Sequence, residues 1–392
     1  MFTLVRGGDV WAPDPIGRRE ILICGETILA IGEGLAPRAE ALGPVEVLDA
    51  SGKLVVPGFI DQHIHFLGGG DFEGPLGRVP ELHLSWITRG GVTTAVGCLG
   101  IDMDFKNLHG LLVKAHELER SGLTTYIYTG SFRIPSVCLT SSVRADLVLI
   151  DKVLGVKVAL SEDTYPNLSL EHLATLAGEV RLAGAMTGKT AVIHAHIGRN
   201  PRRMQPIFDL LDQVKIPVTH LVPTHVNRWE PDTLEHAVAF ARMGGTIDLS
   251  SNLSKRSGSV TGMNPDEAVK RLLDRDVPLS RITLSSDANV SMPVLDAHDR
   301  PIGLHNAPPT ILHRELVHII RTNGLKLSDA LPLVTTNVAR VLGIQARKGA
   351  LQPAKDADLV FLNDDLSVDS VIARGRVMVQ GGRVLVRGPF EE

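Results

Sequence analysis

The sequence predicts an α/β protein, a (β/α)8 TIM barrel with a small β-domain formed by both termini. Between residues 57 and 345, apolar strand-like segments alternate with helical segments, which is typical of a parallel barrel with helices outside. Residues 1–56 and 346–392 instead contain short strand-like runs separated by glycine, proline and polar turns. Neither end holds much core alone, so we expect one domain from residues 1–56 with 346–392, beside a barrel domain of residues 57–345.

The composition excludes several classes of partner. The chain has 392 residues, 44% hydrophobic and 21% charged, with a net charge of −4, so no basic surface points to nucleic acid. Three scattered cysteines, Cys24, Cys98 and Cys138, indicate neither a disulfide framework nor a cysteine-rich metal motif. The sequence has no signal-peptide pattern and no apolar run of about 20 residues. We therefore expect a cytoplasmic protein without nucleic-acid or membrane partners.

The individual elements follow from apolar runs and from helical spacing. Strands are predicted at 21–23, 28–31, 45–48, 92–96, 125–128, 155–160, 190–196, 217–225, 245–249, 282–286, 358–362, 368–373, 376–379 and 383–386. Helical segments are predicted at 108–121, 147–153, 169–185 and 204–214. Gly381-Gly382 is expected to form a hairpin turn between the last two strands.

The barrel segment begins with a short apolar run that is entered through Pro57-Gly58 and ends in His63-Ile64-His65. Residues two apart on a strand point to the same side, so both imidazoles face one way. Two neutral imidazoles at a strand end suit a borderline metal such as zinc. The alternative is a pair of unrelated histidines. The glycines at 68–70 favour a metal, because they let backbone approach a ligand closely.

The pattern Pro-Gly-Phe-Ile-Asp-x-His-x-His at residues 57–65 resembles the first-strand signature of the amidohydrolase superfamily. These are metal hydrolases built on a (β/α)8 barrel with a β-sandwich beside it. With its continuation to Gly70, the run is similar to the isoaspartyl (β-aspartyl) dipeptidases. The similarity is strongest at 57–70, 155–160, 221–228 and 283–291. The resemblance implies that both termini form a β-sandwich and that the protein is a homo-oligomer.

Active sites of such barrels lie at the C-terminal ends of the strands, so polar residues there are the candidates. Lys157 lies between valines, where a buried cation is costly. Its amine either reaches water at an edge, or has a lowered pKa and reacts with CO2 to form a carbamate that bridges two metals. Lys152 lies five residues earlier in a helical stretch, and we expect it to face solvent.

Two strands offer a choice of histidines. His196 is nearer the strand end than His194 and also matches the superfamily position, so His194 is expected to be a buried, hydrogen-bonded support. His225 closes its apolar run and matches likewise, whereas His220 is at most a support. The remaining histidines, at 109, 116, 172, 236, 305, 313 and 318, are expected in helical or loop segments with structural roles.

Asp287 ends the last predicted barrel strand; a lone aspartate there would more often be a helix cap. As one of several ligand-type residues at the ends of predicted barrel strands, Asp287 can bind a metal and still accept a proton. The predicted ligands of two zinc ions per chain are His63, His65, carboxylated Lys157, His196, His225 and Asp287. We expect hydrolysis of an amide bond, with Asp287 taking a proton from the attacking water and returning it to the leaving amine.

The resemblance also implies substrate contacts. Arg228 matches an arginine that holds a substrate carboxylate, Ser291 a serine near the substrate α-carboxylate, and Gly70 a glycine lining the site. The superfamily's loop glutamate, which holds the substrate amino group, aligns with Phe72. Its neighbour Glu73 is the predicted substitute.

Other positions depart from the dipeptidase pattern. The tyrosine that helps polarise the scissile carbonyl aligns with Phe132, an arginine aligns with Thr164, and a loop threonine aligns with Ile101. A β-aspartyl dipeptide is the leading substrate. The alternatives are another dipeptide, an N-acyl amino acid, a cyclic amide as in dihydroorotases and hydantoinases, or a non-catalytic barrel.

Overall fold

The computed structural model describes residues 2–391 apart from 71–73, 164–165, 229–230, 260–261 and 296–299. Its strands are β1 (Phe2–Arg6), β2 (Asp9–Trp11), β3 (Pro15–Arg18), β4 (Glu20–Cys24), β5 (Thr27–Gly32), β6 (Val45–Asp49), β7 (Leu54–Pro57), β8 (Phe59–Gly69), β9 (Val92–Gly97), β10 (Thr124–Gly130), β11 (Val153–Leu160), β12 (Val192–Ile197), β13 (Leu221–Thr224), β14 (Ile247–Ser250), β15 (Ile282–Ser285), β16 (Ala288–Leu295), β17 (Pro301–Asn306), β18 (Leu359–Leu362), β19 (Val368–Ala373), β20 (Arg376–Gln380) and β21 (Arg383–Val384).

The α-helices lie mostly between these strands. They are α1 (Ala36–Leu42), α2 (Leu84–Thr88), α3 (Leu108–Arg120), α4 (Val143–Leu149), α5 (Leu170–Thr187), α6 (Gln205–Gln213), α7 (Pro231–Arg242), α8 (Pro265–Leu273), α9 (Ile311–Asn323), α10 (Leu327–Ala330) and α11 (Thr336–Leu342). None of the described helices is long and apolar enough to cross a membrane.

An eight-stranded, curled sheet forms the centre of the α/β protein, in the order β13-β12-β11-β10-β9-β8-β16-β17. Strands β8 to β13 pair in parallel, and β16 pairs in parallel with β8 and antiparallel with β17. The parallel pair β14-β15 contacts β13 on one side and β8 on the other. All residues of β8 and β11 are buried, as expected for strands covered on both faces.

The terminal segments form two further sheets. One has the order β5-β4-β1-β6, and the other, β21-β20-β19-β18-β7-β2-β3, combines strands from both ends of the chain. A single hydrophobic cluster includes Val5 and Ile23 from the N-terminal part and Leu359 and Ile372 from the C-terminal part. This pairing of the two ends agrees with the sequence prediction.

Gly58 connects β7 of this terminal sheet directly to β8. A Cβ atom at Gly58 would lie 2.2 Å from Thr93 Oγ1, so a larger residue would separate β8 from β9. The strand that carries the two predicted histidine ligands therefore starts from a fixed point between the terminal sheet and the curled sheet.

Several predicted elements differ from the structure. The predicted helix at 147–153 is wrong in its second half, because α4 ends at Leu149 and β11 begins at Val153. Lys152 does not face solvent, since its Nζ donates to Thr125 O at 3.0 Å and lies 2.6 Å from Glu119 Oε2. The predicted strand at 217–225 begins with a 3₁₀ turn at Val218–His220. His305 lies in β17, a strand that was not predicted.

Candidate metal centre

Six ligand-type residues from β8, β11, β12, β13 and β15, or from directly after these strands, line one cavity of about 500 Å³. His63, His65, Lys157 and His196 lie within β8, β11 and β12, whereas His225 follows β13 and Asp287 follows β15. The sequence-predicted metal residues are His63, His65, Lys157, His196, His225 and Asp287, and the structure brings all of them to this cavity.

The central contacts join residues of β8 and β11 and the residues that directly follow β13 and β15. His63 Nε2 lies 2.8 Å from Lys157 Nζ and 3.3 Å from Asp287 Oδ1. His65 Nε2 lies 3.4 Å from the same Asp287 oxygen. His225 Nδ1 lies 4.0 Å from Asp287 Oδ2. Imidazole nitrogens, an amine and a carboxylate thus point at a common volume in the cavity.

Two imidazoles are oriented from behind. His63 Nδ1 lies 3.1 Å from His194 Nε2, which leaves His63 Nε2 to face Lys157. His194 is fully buried and its ring stacks on Tyr128 at a centroid distance of 4.8 Å, so the prediction of a buried, hydrogen-bonded histidine is confirmed. His225 Nδ1 contacts Ser250 Oγ at 2.6 Å. Fixing one ring nitrogen in this way sets which nitrogen is offered to a ligand.

The fourth histidine lies at the polar side of the cavity. His196 Nε2 is bonded to Glu162 Oε1 and lies 3.3 Å from the Arg228 guanidinium. Arg228 is buried and donates from Nε to Ile197 O at 2.6 Å, which fixes its position beside His196. The edge of the Phe132 ring packs on His196 with centroids 4.8 Å apart.

Burial keeps most of these groups neutral. It lowers the pKa of His63 and of His225 well below the usual value, with nearby Lys157 and other histidines adding to the effect. Burial also lowers the pKa of His196 to about 4, against the opposing influence of Glu162. Burial lowers the pKa of Lys157, while Cys98, Asp287 and Asp248 oppose the shift. Neutral imidazole and neutral amine are the forms that bind metal and react with CO2.

His65 is the exception, and it shows where positive charge is favoured. Burial lowers the pKa of His65, but Cys98 and Asp287 outweigh burial and raise it to about 10. Cys98 and Asp287 therefore favour the protonated form of this imidazole.

Two site residues have strained backbones. His225 has φ of 68° and Asp287 has φ of 49°, the left-handed region that residues other than glycine rarely adopt. The Asp287 N–H donates to His63 O at 2.9 Å, which holds the carboxylate over β8. Such strain persists where surrounding structure imposes it, and it clusters at functional sites.

The predicted substrate residues are brought together in part. Gly70, Arg228 and Phe132 line the cavity. A Cβ at Gly70 would lie 2.3 Å from Ser291 O, so the predicted substrate residues Gly70 and Ser291 are adjacent. Ile101 also lines the cavity. Glu73, Phe72 and Thr164 lie outside the described residues.

The residues at or beside the cavity that the sequence did not predict include Cys98, Glu162 and Arg199. Cys98 follows the last residue of β9, Glu162 lies two residues after β11, and Arg199 lies two residues after β12. Glu162 and Arg199 line the cavity, and Cys98 Sγ lies 3.8 Å from His65 Nε2. All three lie just after predicted strands, the same position along the chain that identified the candidate ligands.

The residues present fit a metal. His63, His225 and Asp287 can place one ligand atom each within 4.8 Å of one another, and so can His63, His65 and Cys98. His65 Nδ1 has no hydrogen-bond partner among the described residues. Buried, convergent nitrogen, oxygen and sulfur donors of this kind are typical of zinc and of similar transition metals.

The curled parallel sheet and these donors define the class of the protein, an α/β protein with a candidate metal site. Comparison with known proteins identifies its family. Residues 171–378 match the model of the amidohydrolase family, and the chain belongs to this family.

Individual relatives carry different activities in their names. The chain is similar to the solved β-aspartyl dipeptidase of Fervidobacterium islandicum AW-1 in complex with β-Asp-Leu. The identity is 33%, 98% of each chain is covered, and the TM-score is 0.88. It is 38% identical to the adenine deaminase of Moorella thermoacetica over 99% of this chain, but the chain spans only 59% of that protein. It is 24% identical to the 5'-deoxyadenosine deaminase of Methanothermobacter thermautotrophicus, covering 98% of this chain and 94% of that protein.

Proposed function

We propose that the chain is a binuclear metal-dependent amidohydrolase that cleaves an amide bond of a small substrate, with a β-aspartyl dipeptide as the leading substrate. One observation carries the proposal: six ligand-type side chains, carried by five strands or by the residues directly after them, line one cavity. The likeness to a β-aspartyl dipeptidase over 98% of both chains supports the substrate class.

The architecture that we infer is a closed eight-stranded barrel spanning 57–345 and a β-sandwich of 1–56 with 346–392. The contacts of β14 with β13 and of β15 with β8 support closure. The hydrophobic cluster shared by the N- and C-terminal strands supports a β-sandwich built from both ends.

Two zinc ions are proposed to be held by His63, His65, carboxylated Lys157, His196, His225 and Asp287. When bound, the zinc ions would lower the pKa of a water and polarise the scissile carbonyl. The lowered pKa of Lys157, caused first by burial, supports carboxylation, because only the neutral amine attacks CO2.

Asp287 is proposed to move the proton. Its Oδ1 lies 3.3 Å and 3.4 Å from the two β8 imidazoles, so it faces the centre of the site rather than capping a helix. It accepts a proton from the attacking water and delivers it to the leaving amine. The Asp287 N–H bond to His63 O keeps the carboxylate in position during both transfers.

A substrate carboxylate is proposed to bind Arg228, with Ser291 and Gly70 shaping the adjoining wall and Glu73 holding the substrate amino group. Arg228 is buried and fixed by Ile197 O, so little entropy is lost when it binds an anion. Arg199 lines the same cavity and offers a second guanidinium to a substrate carboxylate.

The test is hydrolysis of a panel comprising β-Asp-Leu, α-Asp-Leu, dihydroorotate, hydantoin, N-acetyl amino acids and adenine. We expect measurable β-Asp-Leu cleavage, and a KM about tenfold or more higher in Arg228→Met, because an unpaired buried carboxylate is costly. Arg202→Met is the matched control, because Arg202 pairs with Asp209 on the surface. Cleavage of a cyclic amide without any β-Asp-Leu cleavage would contradict the dipeptide assignment.

Deamination is the second candidate, favoured by the 38% identity to an adenine deaminase. Adenine carries no carboxylate, so deamination would leave Arg228 without an anionic partner on the substrate. Ammonia release from adenine that Arg228→Met leaves unchanged would support this candidate over the dipeptidase.

A further inference from the structure

Cys98 lies against the candidate metal centre, although neither the proposed ligand set nor the sequence argument includes it. It follows β9, is 1% exposed, and donates its backbone N–H to Ile64 O at 3.1 Å. That bond fixes Cys98 beside the stretch of β8 that carries His63 and His65. Its Sγ lies 3.8 Å from His65 Nε2.

The sulfur is one of a set of converging donors. His63, His65 and Cys98 can each place a ligand atom within 4.8 Å of the other two, and all three are buried. His65 Nε2 also lies 3.4 Å from Asp287 Oδ1, so the sulfur and the carboxylate approach the same imidazole nitrogen. Cys98 is therefore not an isolated thiol but the third donor of a compact group.

Cys98 packs in a hydrophobic cluster with Val96 and Tyr128, but its Sγ also faces a polar atom, His65 Nε2. The Sγ···Ile64 O distance of 3.9 Å is long even for a weak thiol donor, so Cys98 gains little from this bond. His65 Nδ1 has no partner among the described residues, which leaves the ring of His65 held mainly through Nε2. An apolar residue of similar size would fill the same space but would place no sulfur beside His65 Nε2.

We propose that Cys98 is a further metal ligand, a thiolate that shares with His63 and His65 the metal nearest β8. The proposal rests on the metal site of the proposed function. On binding, the S–H proton passes to solvent and a metal–sulfur bond forms, with no change of oxidation state. A thiolate favours zinc or cobalt over manganese, so this site is softer than one made only of nitrogen and oxygen donors.

The first experiment uses Co²⁺ added to metal-free protein. Cobalt-loaded wild type is expected to show near-ultraviolet thiolate-to-cobalt charge-transfer absorption. Cys98→Ser and Cys98→Ala should lack it, whereas Cys24→Ser and Cys138→Ser should retain it. Neither Cys24 nor Cys138 lines the cavity, and Cys138 Sγ donates to Ser136 O, so both are matched controls. The absence of the band in wild type, or its persistence in Cys98→Ala, would overturn the proposal.

Zinc affinity gives a second readout. Cys98→Ser is expected to raise the Kd for zinc at least about tenfold, and to change the Kd for manganese less. Equal changes for both metals would indicate a general disturbance of the site and would contradict a thiolate ligand.

A third measurement does not need a Cys98 variant to fold. In the double variant Cys24→Ser/Cys138→Ser, Cys98 is the one remaining cysteine of the 3 in the chain. Its zinc X-ray absorption spectrum should contain a sulfur shell at about 2.3 Å, and a spectrum with only nitrogen and oxygen shells would overturn the proposal.

These results separate the ligand from the function. A charge-transfer band without β-Asp-Leu cleavage supports Cys98 and contradicts the substrate. Cleavage without the band contradicts Cys98 alone. A wild type that binds neither cobalt nor zinc contradicts both.

Discussion

At the scale of single residues, side chains behind the candidate ligands fix the orientation of the ligand rings. His194 and Ser250 each hold the Nδ1 of a neighbouring histidine, at 3.1 Å and 2.6 Å. They thereby leave the other ring nitrogen of His63 and His225 free to face the cavity. Such supports often matter as much to metal affinity as the ligands that they orient.

Asp287→Asn tests the proton transfer at this scale. The amide cannot accept the proton of the attacking water, so kcat should fall at least about 100-fold while the fold is kept. The measurement is kcat on the best panel substrate, with metal content determined on the same sample.

Asp163→Asn is the control for Asp287→Asn, because Asp163 also lines the cavity and is exposed. It should stay within several-fold of wild type. An Asp287→Asn enzyme that retains both metal and near-wild-type kcat would remove Asp287 from the proton-transfer role.

The six proposed ligands could be predicted from sequence because each lies in or directly after an apolar run, and His196 and His225 also match the superfamily positions. The sequence did not give the contacts between residues on adjacent strands, because those contacts depend on the register of the strands. The contact of Cys98 with His65 depends on the register of β9 on β8, and that pairing contains irregular shifts. The contact of Glu162 with His196 likewise depends on the side-by-side pairing of β11 and β12.

At the scale of elements, the β16-β17 hairpin was the main feature missed. Pro293 lies within β16, and a proline in an otherwise strand-like run argues against a strand. The hairpin is nonetheless formed, with Ser291 paired to Asn306 and Met292 paired to His305. Met292 and Pro293 line the cavity, so an element that sequence reasoning omitted forms one wall of the site.

Gly70→Ala tests how closely the end of β8 approaches this hairpin. A Cβ would lie 2.3 Å from Ser291 O on a residue with φ of 92°, so the variant must displace one segment. We expect a loss of about 1–3 kcal/mol in unfolding free energy, with reduced activity. Urea unfolding and kcat/KM measure the two effects.

Gly303→Ala is the matched control in the same hairpin, since a Cβ there would meet nothing within 4 Å. It should leave the unfolding free energy within about 0.5 kcal/mol of wild type. Equal stability and activity of Gly70→Ala and Gly303→Ala would contradict the proposed close approach.

At the scale of the whole molecule, a buried lysine joins the terminal sheets to the curled sheet. Lys348 Nζ donates to Thr124 Oγ1 and Asp358 Oδ2 at 2.6 Å each and lies 2.8 Å from Asp356 Oδ2. Thr124 begins β10, whereas Asp358 directly precedes β18, so one ammonium links two sheets.

The homo-oligomer that the family resemblance implies stays a prediction.

Lys348→Ala is expected to lower the unfolding free energy by about 3–5 kcal/mol, because the buried Asp358 loses the ammonium that pairs with it. Asp356 keeps its pair with Arg347. Metal stoichiometry of the folded fraction should not change, since Lys348 does not line the cavity. Lys270→Ala, which breaks an exposed pair with Asp274, is the control and should cost about 0.5 kcal/mol or less. A similar small loss for Lys348→Ala would show that the link between the sheets does not depend on this cation.

The central claim is a two-metal site, and elemental analysis of protein purified without chelator tests it most directly. We expect about two zinc equivalents per chain in wild type, with metal and hydrolysis lost together in His63→Ala and in His225→Ala. His220→Ala is the control, because His220 lies in the 3₁₀ turn that precedes β13 and its Nδ1 contacts Ala191 O. This variant should keep both metals. Near-zero metal in a wild-type protein that still hydrolyses its substrate would contradict the claim.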